Sequence, residues 1–214
     1  MKDRVKEIVD YCADRQFIER CMFLQVYEEF LTFAYWVNGF KPNNILEIGT
    51  RGCTFWILTA LSTGKKIAVD KDNNKPLLEE NPNICEWSFI QGDTKHTDIY
   101  KQIVSKCNEY DLIFIDGDHT YEGVKHDFEK YKPLLSKRGY IVFHDVDSNN
   151  RWRDNFGVYR FWNELEGGSK IEIVCTKASG RTYLSKTHMN DMWNLGLEEN
   201  ITQNYGGIGL WKPI

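Results

Sequence analysis

The stretch Ile45-Leu46-Glu47-Ile48-Gly49-Thr50-Arg51-Gly52 decides the fold of this chain. A short apolar run with one acid is followed at once by glycines, which is typical of a buried strand that turns into a helix. Glycine at such a turn lets a ligand approach the backbone closely before the helix begins. The stretch therefore predicts the first strand of an α/β sheet, with a ligand site at its carboxyl end.

Apolar runs rich in Ile, Val and Phe alternate downstream with longer amphipathic stretches, which is typical of the strand–helix units of a parallel sheet. The predicted strands cover residues 45–48, 66–70, 87–90, 112–116 and 140–145, with closing strands at 171–176 and 208–212. The predicted helices between them cover residues 53–63, 75–80, 97–107, 121–134 and 155–166. We therefore expect a Rossmann-like α/β fold with a seven-stranded, mostly parallel sheet and helices on both faces.

The N-terminal part of the chain has a different pattern. Residues 1–40 carry apolar positions at helical spacing, which predicts two amphipathic helices, and Gly39 and Pro42 are expected to end the second. We expect residues 1–40 to form a helical cap and residues 41–214 to form the α/β domain of a single globular unit. The apolar helices would also offer a homodimer contact. Residues 181–206 show weak periodicity and are expected to form a lid or an insertion before the last strand.

Composition and charge argue against several classes of protein. The formal net charge is -4 and the pI about 5.8, so no overall positive field attracts a nucleic-acid backbone, and no nucleic-acid partner is expected. No stretch approaches the ~20 apolar residues of a membrane-spanning helix, so no membrane association is expected. The six cysteines lack metal-binding spacing and are expected to be reduced. With no secretory signal recognisable at the N-terminus, these features predict a cytoplasmic protein.

Acidic residues and glycines follow the predicted strands. Because the carboxyl ends of parallel strands meet at one edge of the sheet, we expect a ligand crevice there. Asp70, at the end of the second strand, is placed to accept hydrogen bonds from ribose hydroxyls. The later strands are followed by Gly92-Asp93, by Asp116 and by His144-Asp145.

An NAD-dependent oxidoreductase is the first alternative for this layout, because the first strand of such enzymes also ends in glycines against a helix. However, Gly49 and Gly52 do not form the G-x-G-x-x-G pattern of dinucleotide-binding proteins. In addition, Glu47 suits a ligand with a cationic amino group better than it suits a pyrophosphate. S-adenosylmethionine carries such an amino group and a sulfonium.

Four segments of the chain carry a further signal, namely E-I-G-T-R-G at 47–52, I-D-G-D-H-T-Y-E-G-V at 115–124, Y-I-V-F-H-D at 140–145 and G-V-Y-R-F-W at 157–162. Together they resemble class I S-adenosylmethionine-dependent methyltransferases. More narrowly, they are similar to bacterial small-molecule and sugar O-methyltransferases, the branch that includes macrocin O-methyltransferase and the cephalosporin hydroxylase-like proteins. The D-G-D-H-x-Y-E-G-V pattern is the most specific part. The resemblance covers roughly residues 20–178 and implies that the last strand is antiparallel.

The resemblance also implies which residues bind the cofactor. Glu47 and Gly49 would face the methionine part of S-adenosylmethionine, and Asp70 would face its ribose. Gly92 and Asp93 would face the adenine. The complete set implied for the cofactor is Glu47, Gly49, Thr50, Gly52, Asp70, Gly92, Asp93, Asp116 and His119.

Methyl transfer to a hydroxyl requires a proton acceptor, and histidine titrates in the appropriate range. His119 and His144 are both candidates, and Asp116 and Asp145 would orient the base beside the transferred methyl group. Asp116, His144 and Asp145 could also hold Mg²⁺ or Mn²⁺. Metal-dependent relatives often have two acids where this chain has His144 and Asp145, so a metal-free reaction stays open.

The sequence therefore predicts an S-adenosylmethionine-dependent methyltransferase. Its acceptor would be the hydroxyl of a small molecule, such as a sugar or glycoside, and the transfer would be in line and assisted by a base or a metal. The alternatives are an NAD-dependent oxidoreductase and a non-catalytic module that binds the cofactor without turnover.

Overall fold

The computed structural model describes residues 3–15, 26–51, 53–79, 86–147, 157–174 and 206–214. Gly52 and residues 181–205 of the predicted lid or insertion lie outside these described residues.

The strands form one seven-stranded sheet in the order β3-β2-β1-β4-β5-β7-β6. β1 to β5 pair in parallel, whereas β7 runs antiparallel to both β5 and β6. The predicted fold class, with its antiparallel last strand, is confirmed. The strand order reverses beside β1, and open α/β sheets bind their ligands at such a point, here the carboxyl ends of β1 and β4. The strands are β1 (Ile45–Ile48), β2 (Lys66–Asp70), β3 (Trp87–Gln91), β4 (Tyr110–Ile115), β5 (Leu135–His144), β6 (Gly168–Ile173) and β7 (Ile208–Pro213).

Helices cover both faces of the sheet. They are α1 (Arg4–Arg15), α2 (Tyr27–Phe40), α3 (Cys53–Ala60), α4 (Lys75–Glu79), α5 (Thr97–Lys106), α6 (Tyr121–Tyr131) and α7 (Val158–Glu164). Because successive side chains of a strand point to opposite faces, β4 contributes to two cores. Leu112 and Phe114 pack with α1, α2 and α3, whereas Ile113 and Ile115 pack with α5, α6 and α7. Within the described residues, no helix combines the length and apolar character needed to cross a membrane.

The N-terminal helices share a core with the sheet. Val9 and Cys12 of α1 are fully or almost fully buried in the same cluster as Phe33 of α2. The Phe33 ring lies 5.8 Å from the ring of Phe114 on β4, measured between centroids. This shared core supports our proposal that the cap of residues 1–40 and the domain of residues 41–214 form one globular unit.

Several helix ends differ from the sequence prediction by one to three residues, and those of α2 and α6 have a clear local cause. Gly39 does not end α2, which continues to Phe40. Instead, Lys41 adopts a left-handed conformation with φ 53° and donates its N–H to the carbonyl of Val37, which closes the last turn. The helix predicted at 121–134 ends as an α-helix at Tyr131 and continues as a 3-10 helix over Lys132–Leu134, because Pro133 has no N–H for the α-helical pattern.

Candidate functional site

The turn after β1 packs tightly against the end of β4. Gly49 has φ +81°, and a Cβ atom at this position would lie 2.3 Å from the backbone oxygen of Asp116. The Gly49 N–H donates to the carbonyl of Val69, and the Asp116 N–H donates to the carbonyl of Ile48, both at 2.8 Å. Only glycine satisfies both the backbone angle and the close contact. The predicted glycine therefore brings the ends of β1, β2 and β4 together.

Glu47 is a buried acid at this rim. Its Oε2 atom has no hydrogen-bond partner among the described residues. Burial raises the pKa of Glu47 well above its usual value; the neighbouring Thr50 hydroxyl partly offsets the rise, and the carboxylates of Asp116 and Asp70 add to it. Thr50 is itself buried. A cationic ligand group beside Glu47 would stabilise its charged form.

Asp70 and the Gly92-Asp93 turn continue the same rim. The Gly92 N–H donates to the Asp70 carbonyl at 2.8 Å, which places the ends of β2 and β3 side by side. Asp70 Oδ1 accepts the N–H of Asp72 at 2.8 Å, and burial raises the pKa of Asp70. Asp93 Oδ1 accepts the N–H of Lys95 at 2.8 Å. Each of these carboxylates thus accepts, through Oδ1, a hydrogen bond from a backbone N–H of its own turn.

The four predicted catalytic residues form one cluster. His119 Nε2 lies 3.2 Å from Asp116 Oδ1 and 3.1 Å from Asp145 Oδ2. His144 Nδ1 lies 3.2 Å from Asp116 Oδ1 and 3.5 Å from Asp145 Oδ1. Both carboxylates therefore face both imidazole rings.

The interactions within this cluster stabilise the charged forms of all four side chains, two carboxylates and two imidazoliums. Burial lowers the pKa of His119, but hydrogen bonds to Asp116 and Asp145 outweigh it and raise the pKa to about 10. The same carboxylates raise the pKa of His144 well above its usual value against the effect of burial. Burial raises the pKa values of Asp116 and Asp145, but the adjacent imidazoliums, that of His144 first, lower both overall. Without a bound cation, two carboxylates are thus balanced by two protonated rings at neutral pH.

Three of these residues also offer ligand atoms for a metal ion. Atoms from Asp116, His144 and Asp145 lie within 4.8 Å of one another. Two carboxylates and one imidazole fit a divalent cation, and the nitrogen donor suits Mn²⁺ better than Mg²⁺, which prefers oxygen. The residues present therefore fit the predicted metal.

The D-G-D-H-T-Y-E-G pattern forms the turn that orients His119. Asp118 Oδ1 accepts the N–H of Thr120 at 3.1 Å and its hydroxyl at 2.8 Å. The Thr120 hydroxyl oxygen accepts the N–H of Gly123 at 3.1 Å, which caps the start of α6. The carbonyl of His119 accepts the N–H of Gly157 at 2.7 Å. Gly157, directly before α7, therefore helps to hold the histidine.

Glu29 and Asp127 are buried acids near this rim that the sequence pattern did not single out. Glu29 of α2 accepts the N–H of Gly207 at 2.7 Å through Oε2. Asp127 of α6 points its Oδ2 toward Gly117, where an added Cβ atom would lie 3.7 Å away. Each acid lies on the apolar face of an amphipathic helix, and this was the signal available in the sequence.

Comparisons with known proteins match part of this chain to one family model and to two relatives. A family model described as "Methyltransferase domain" matches residues 46–146. "Uncharacterized protein y4gI" of Sinorhizobium fredii is 44% identical over 149 residues, which cover 62% of this chain and 16% of that protein. "Uncharacterized protein R132" of Acanthamoeba polyphaga mimivirus is 49% identical over 73 residues, covering 31% of this chain and 33% of that protein. The chain thus spans a third or less of the length of either relative.

Solved structures share the fold at low sequence identity. An O-methyltransferase from Bacillus cereus in complex with SAH has a TM-score of 0.61 at 18% identity, with 99% of this chain and 92% of that chain covered. The O-methyltransferase TomG from Streptomyces achromogenes in complex with SAM has a TM-score of 0.61 at 16% identity, with 100% and 91% covered. The methyltransferase MycE, solved with Mg, SAH and mycinamycin VI, has a TM-score of 0.55 at 13% identity, with 99% and 55% covered. Residues 46–146 therefore match a methyltransferase family model, and the chain shares the fold of solved O-methyltransferases in complex with SAH or SAM.

Proposed function

We propose that this protein transfers the methyl group of S-adenosylmethionine to a hydroxyl of a small molecule. The observation that carries the proposal is the buried carboxyl of Glu47, whose Oε2 lacks a hydrogen-bond partner among the described residues. The cationic amino group of S-adenosylmethionine would compensate this buried acid. Asp70 and the cluster around Asp116 lie at the ends of β2 and β4, the strands that flank β1. Polar groups along several strand ends suit S-adenosylmethionine, because this ligand is long and has an amino-acid part and a nucleoside part.

We assign the parts of the cofactor to successive strand ends. Glu47 and Gly49 would hold the methionine part, together with Thr50 and Gly52 of the same loop. Asp70 would bind the ribose hydroxyls through its second oxygen, because Oδ1 accepts from the backbone. Gly92 and Asp93 would border the adenine, and Asp116 and His119 would lie beside the methyl group. When bound, S-adenosylmethionine supplies an electrophilic methyl carbon.

His119 is the better candidate for the proton acceptor. Its side chain is 35% exposed, whereas that of His144 is 6% exposed, so an acceptor hydroxyl reaches the former more readily. His119 must lose its own proton before it can accept another, since Asp116 and Asp145 hold the ring in its charged form. A divalent cation held by Asp116, His144 and Asp145 would supply positive charge that favours this loss and acidifies the hydroxyl.

The acceptor class rests on resemblance. The narrower similarity to bacterial small-molecule and sugar O-methyltransferases favours a sugar or glycoside. TomG is described as involved in tomaymycin synthesis, and MycE was solved with mycinamycin VI. Both descriptions support a small-molecule acceptor for this chain as well. The negative net charge is consistent with an acceptor other than nucleic acid.

A homodimer through the N-terminal helices is a separate proposal. Light scattering after size-exclusion chromatography tests it directly, because the chain of 25.2 kDa and its dimer differ twofold in mass. Elution as a monomer at assay concentration would rule it out.

Calorimetric titration with S-adenosylhomocysteine tests the cofactor without knowledge of the acceptor. Transfer from labelled S-adenosylmethionine is then measured with sugars, glycosides and catechols, with and without a chelator. Asp116→Asn should bind S-adenosylhomocysteine but lose transfer by ~10² or more, since it removes a partner of both histidines. Asp98→Asn, at an exposed position of α5, is the matched control and should behave as the wild type.

The outcomes of these experiments distinguish the alternatives. The absence of binding heat with S-adenosylhomocysteine would contradict the proposal. Binding without transfer to any hydroxyl would favour the non-catalytic module. Loss of methyl transfer in the presence of the chelator would indicate that the cluster binds a metal. Transfer that the chelator leaves unchanged would favour proton abstraction by His119 alone.

A further inference from the structure

Glu29 is a buried acid on a helix that supplies none of the predicted site residues. Its exposed fraction is 3%, and Val26 and Phe33 lie at helical spacing on the same apolar face of the chain. A buried carboxylate is costly unless donors satisfy it. Glu29 Oε2 accepts the N–H of Gly207 at 2.7 Å, just before β7. The acid thus links α2 to the strand that pairs with β5.

The Gly206-Gly207 pair connects Glu29 to Asp145. The Gly206 N–H donates to Asp145 Oδ1 at 3.2 Å. The carbonyls of Gly207 and Gly206 accept the N–H groups of Val146 and Asp147, both at 3.2 Å. Gly206 has φ +118° and Gly207 has φ +80°, and a Cβ on Gly206 would lie 2.6 Å from Glu29 Oε2. Glycines are therefore required where the chain passes between Glu29 and Asp145.

Asp145 needs such support because its own backbone is strained. Its φ is 63°, which lies in the left-handed region that is unfavourable for a non-glycine residue. In this conformation Oδ2 lies 3.1 Å from Nε2 of His119, and Oδ1 lies 3.5 Å from Nδ1 of His144. Strained backbone persists only where neighbouring contacts hold it. Gly206 supplies one such contact to the Asp145 side chain, and Gly207 supplies another to the backbone of the next residue, Val146.

We infer that Glu29 is a positioning residue for the candidate active site. By fixing Gly207, it holds the glycine pair against residues 145–147 and so keeps both oxygens of Asp145 directed at His119 and His144. The contribution of this arrangement to methyl transfer rests on the proposed function. The positioning itself follows from the hydrogen bonds.

Nuclear magnetic resonance of the five histidine rings tests the inference at a fixed neutral pH. His119→Asn and His144→Asn assign the two ring signals that report on Asp145. Glu29→Ala removes the acceptor for Gly207, and we expect displaced signals from His119 and His144 with the other three unchanged. Glu29→Gln keeps an acceptor oxygen at the same length and should restore both signals. Glu28→Ala, the neighbouring acid on the same helix, is the control and should leave them in place.

The inference is overturned if folded Glu29→Ala shows the His119 and His144 signals at wild-type positions. Should Glu29→Ala fail to fold, Glu29→Asp replaces it, because this variant keeps the charge but withdraws the carboxylate by one methylene. Unchanged signals in Glu29→Asp would then overturn the inference, and displaced signals would support it. A parallel titration with S-adenosylhomocysteine separates the two proposals, since lack of binding by the wild type contradicts the proposed function and leaves the positioning test intact.

Discussion

At the scale of single residues, Glu47 combines a cost to stability with a role in binding. Burial raises the pKa of Glu47 well above its usual value, so ionisation is less favourable in the folded than in the unfolded chain. The free energy of unfolding therefore falls as the pH rises above the ordinary pKa of glutamate. Replacing the acid by its amide removes this penalty but also removes the partner for a cationic ligand.

We therefore expect Glu47→Gln to unfold at the same or a higher temperature at pH 8, yet to bind S-adenosylhomocysteine at least tenfold more weakly, since a charge-assisted hydrogen bond contributes ~1.5–3 kcal/mol. Thermal unfolding and calorimetry measure the two effects. Glu79→Gln, an exposed position in an ion pair with Lys75, is the control and should change neither. Wild-type affinity in Glu47→Gln would contradict the assigned role.

Asp127 provides a pH-dependent prediction at the same scale. Burial raises the pKa of Asp127 from 3.8 to about 6. A hydrogen bond with Thr94 and the nearby His126 lower this pKa but do not outweigh burial. Because the folded chain keeps this proton longer than the unfolded chain, the stability of the wild type relative to Asp127→Asn should fall as the pH rises from about 4 to about 6. Above that range the difference should be constant. Chemical unfolding at a series of pH values measures it, and a difference independent of pH would be the contrary result.

At the scale of elements, the start of α6 depends on contact with Gly157, which directly precedes α7. A Cβ atom on Gly157 would lie 1.8 Å from the backbone nitrogen of Tyr121, so the two segments must separate if it is replaced. We expect Gly157→Ala to lose roughly 1–3 kcal/mol of stability by overpacking. The transfer activity of the folded molecules should fall as well, because Gly157 also donates its N–H to the His119 carbonyl. Thermal unfolding and a transfer assay on the folded fraction distinguish the two.

Gly39 is the matched control for this replacement. It lies inside α2, and a Cβ atom there would meet no atom within 4 Å. Because glycine costs about 0.5–1 kcal/mol relative to alanine in a helix, Gly39→Ala should raise the unfolding temperature without changing activity. A lowered unfolding temperature would mean that the helix does end before this residue, as the sequence pattern alone suggested.

At the scale of the whole molecule, a ligand that binds the folded chain shifts its unfolding equilibrium. At a concentration of about 100 Kd, S-adenosylhomocysteine should stabilise the fold by ~2.7 kcal/mol. For a chain of this size that corresponds to an increase in unfolding temperature of roughly 5–10 °C. NAD should cause no shift. The reverse pattern would favour the oxidoreductase alternative, which the methyltransferase match at residues 46–146 argues against.

Much of the fold could be predicted from local patterns. β1 and β2 have the predicted bounds, and α3, α4 and α5 begin at the predicted residues. Apolar runs mark buried strands and amphipathic stretches mark helices, because burial acts on each element in its own part of the chain. Boundaries were predicted less well: β5 begins at Leu135 and not at 140, since its first residues lie at the partly exposed end of the sheet.

The sequence by itself determined the strands, the helices and the set of polar residues at the strand ends, because those features follow from local periodicity and from a specific motif. Only the tertiary structure decided that Asp116, His119, His144 and Asp145 share hydrogen bonds, and that Glu29 reaches Asp145 through Gly206 and Gly207. These contacts depend on the strand order and on a left-handed residue after β5. The protonation of the histidines depends on the same contacts, because a pKa is set by distances between groups that are remote in sequence.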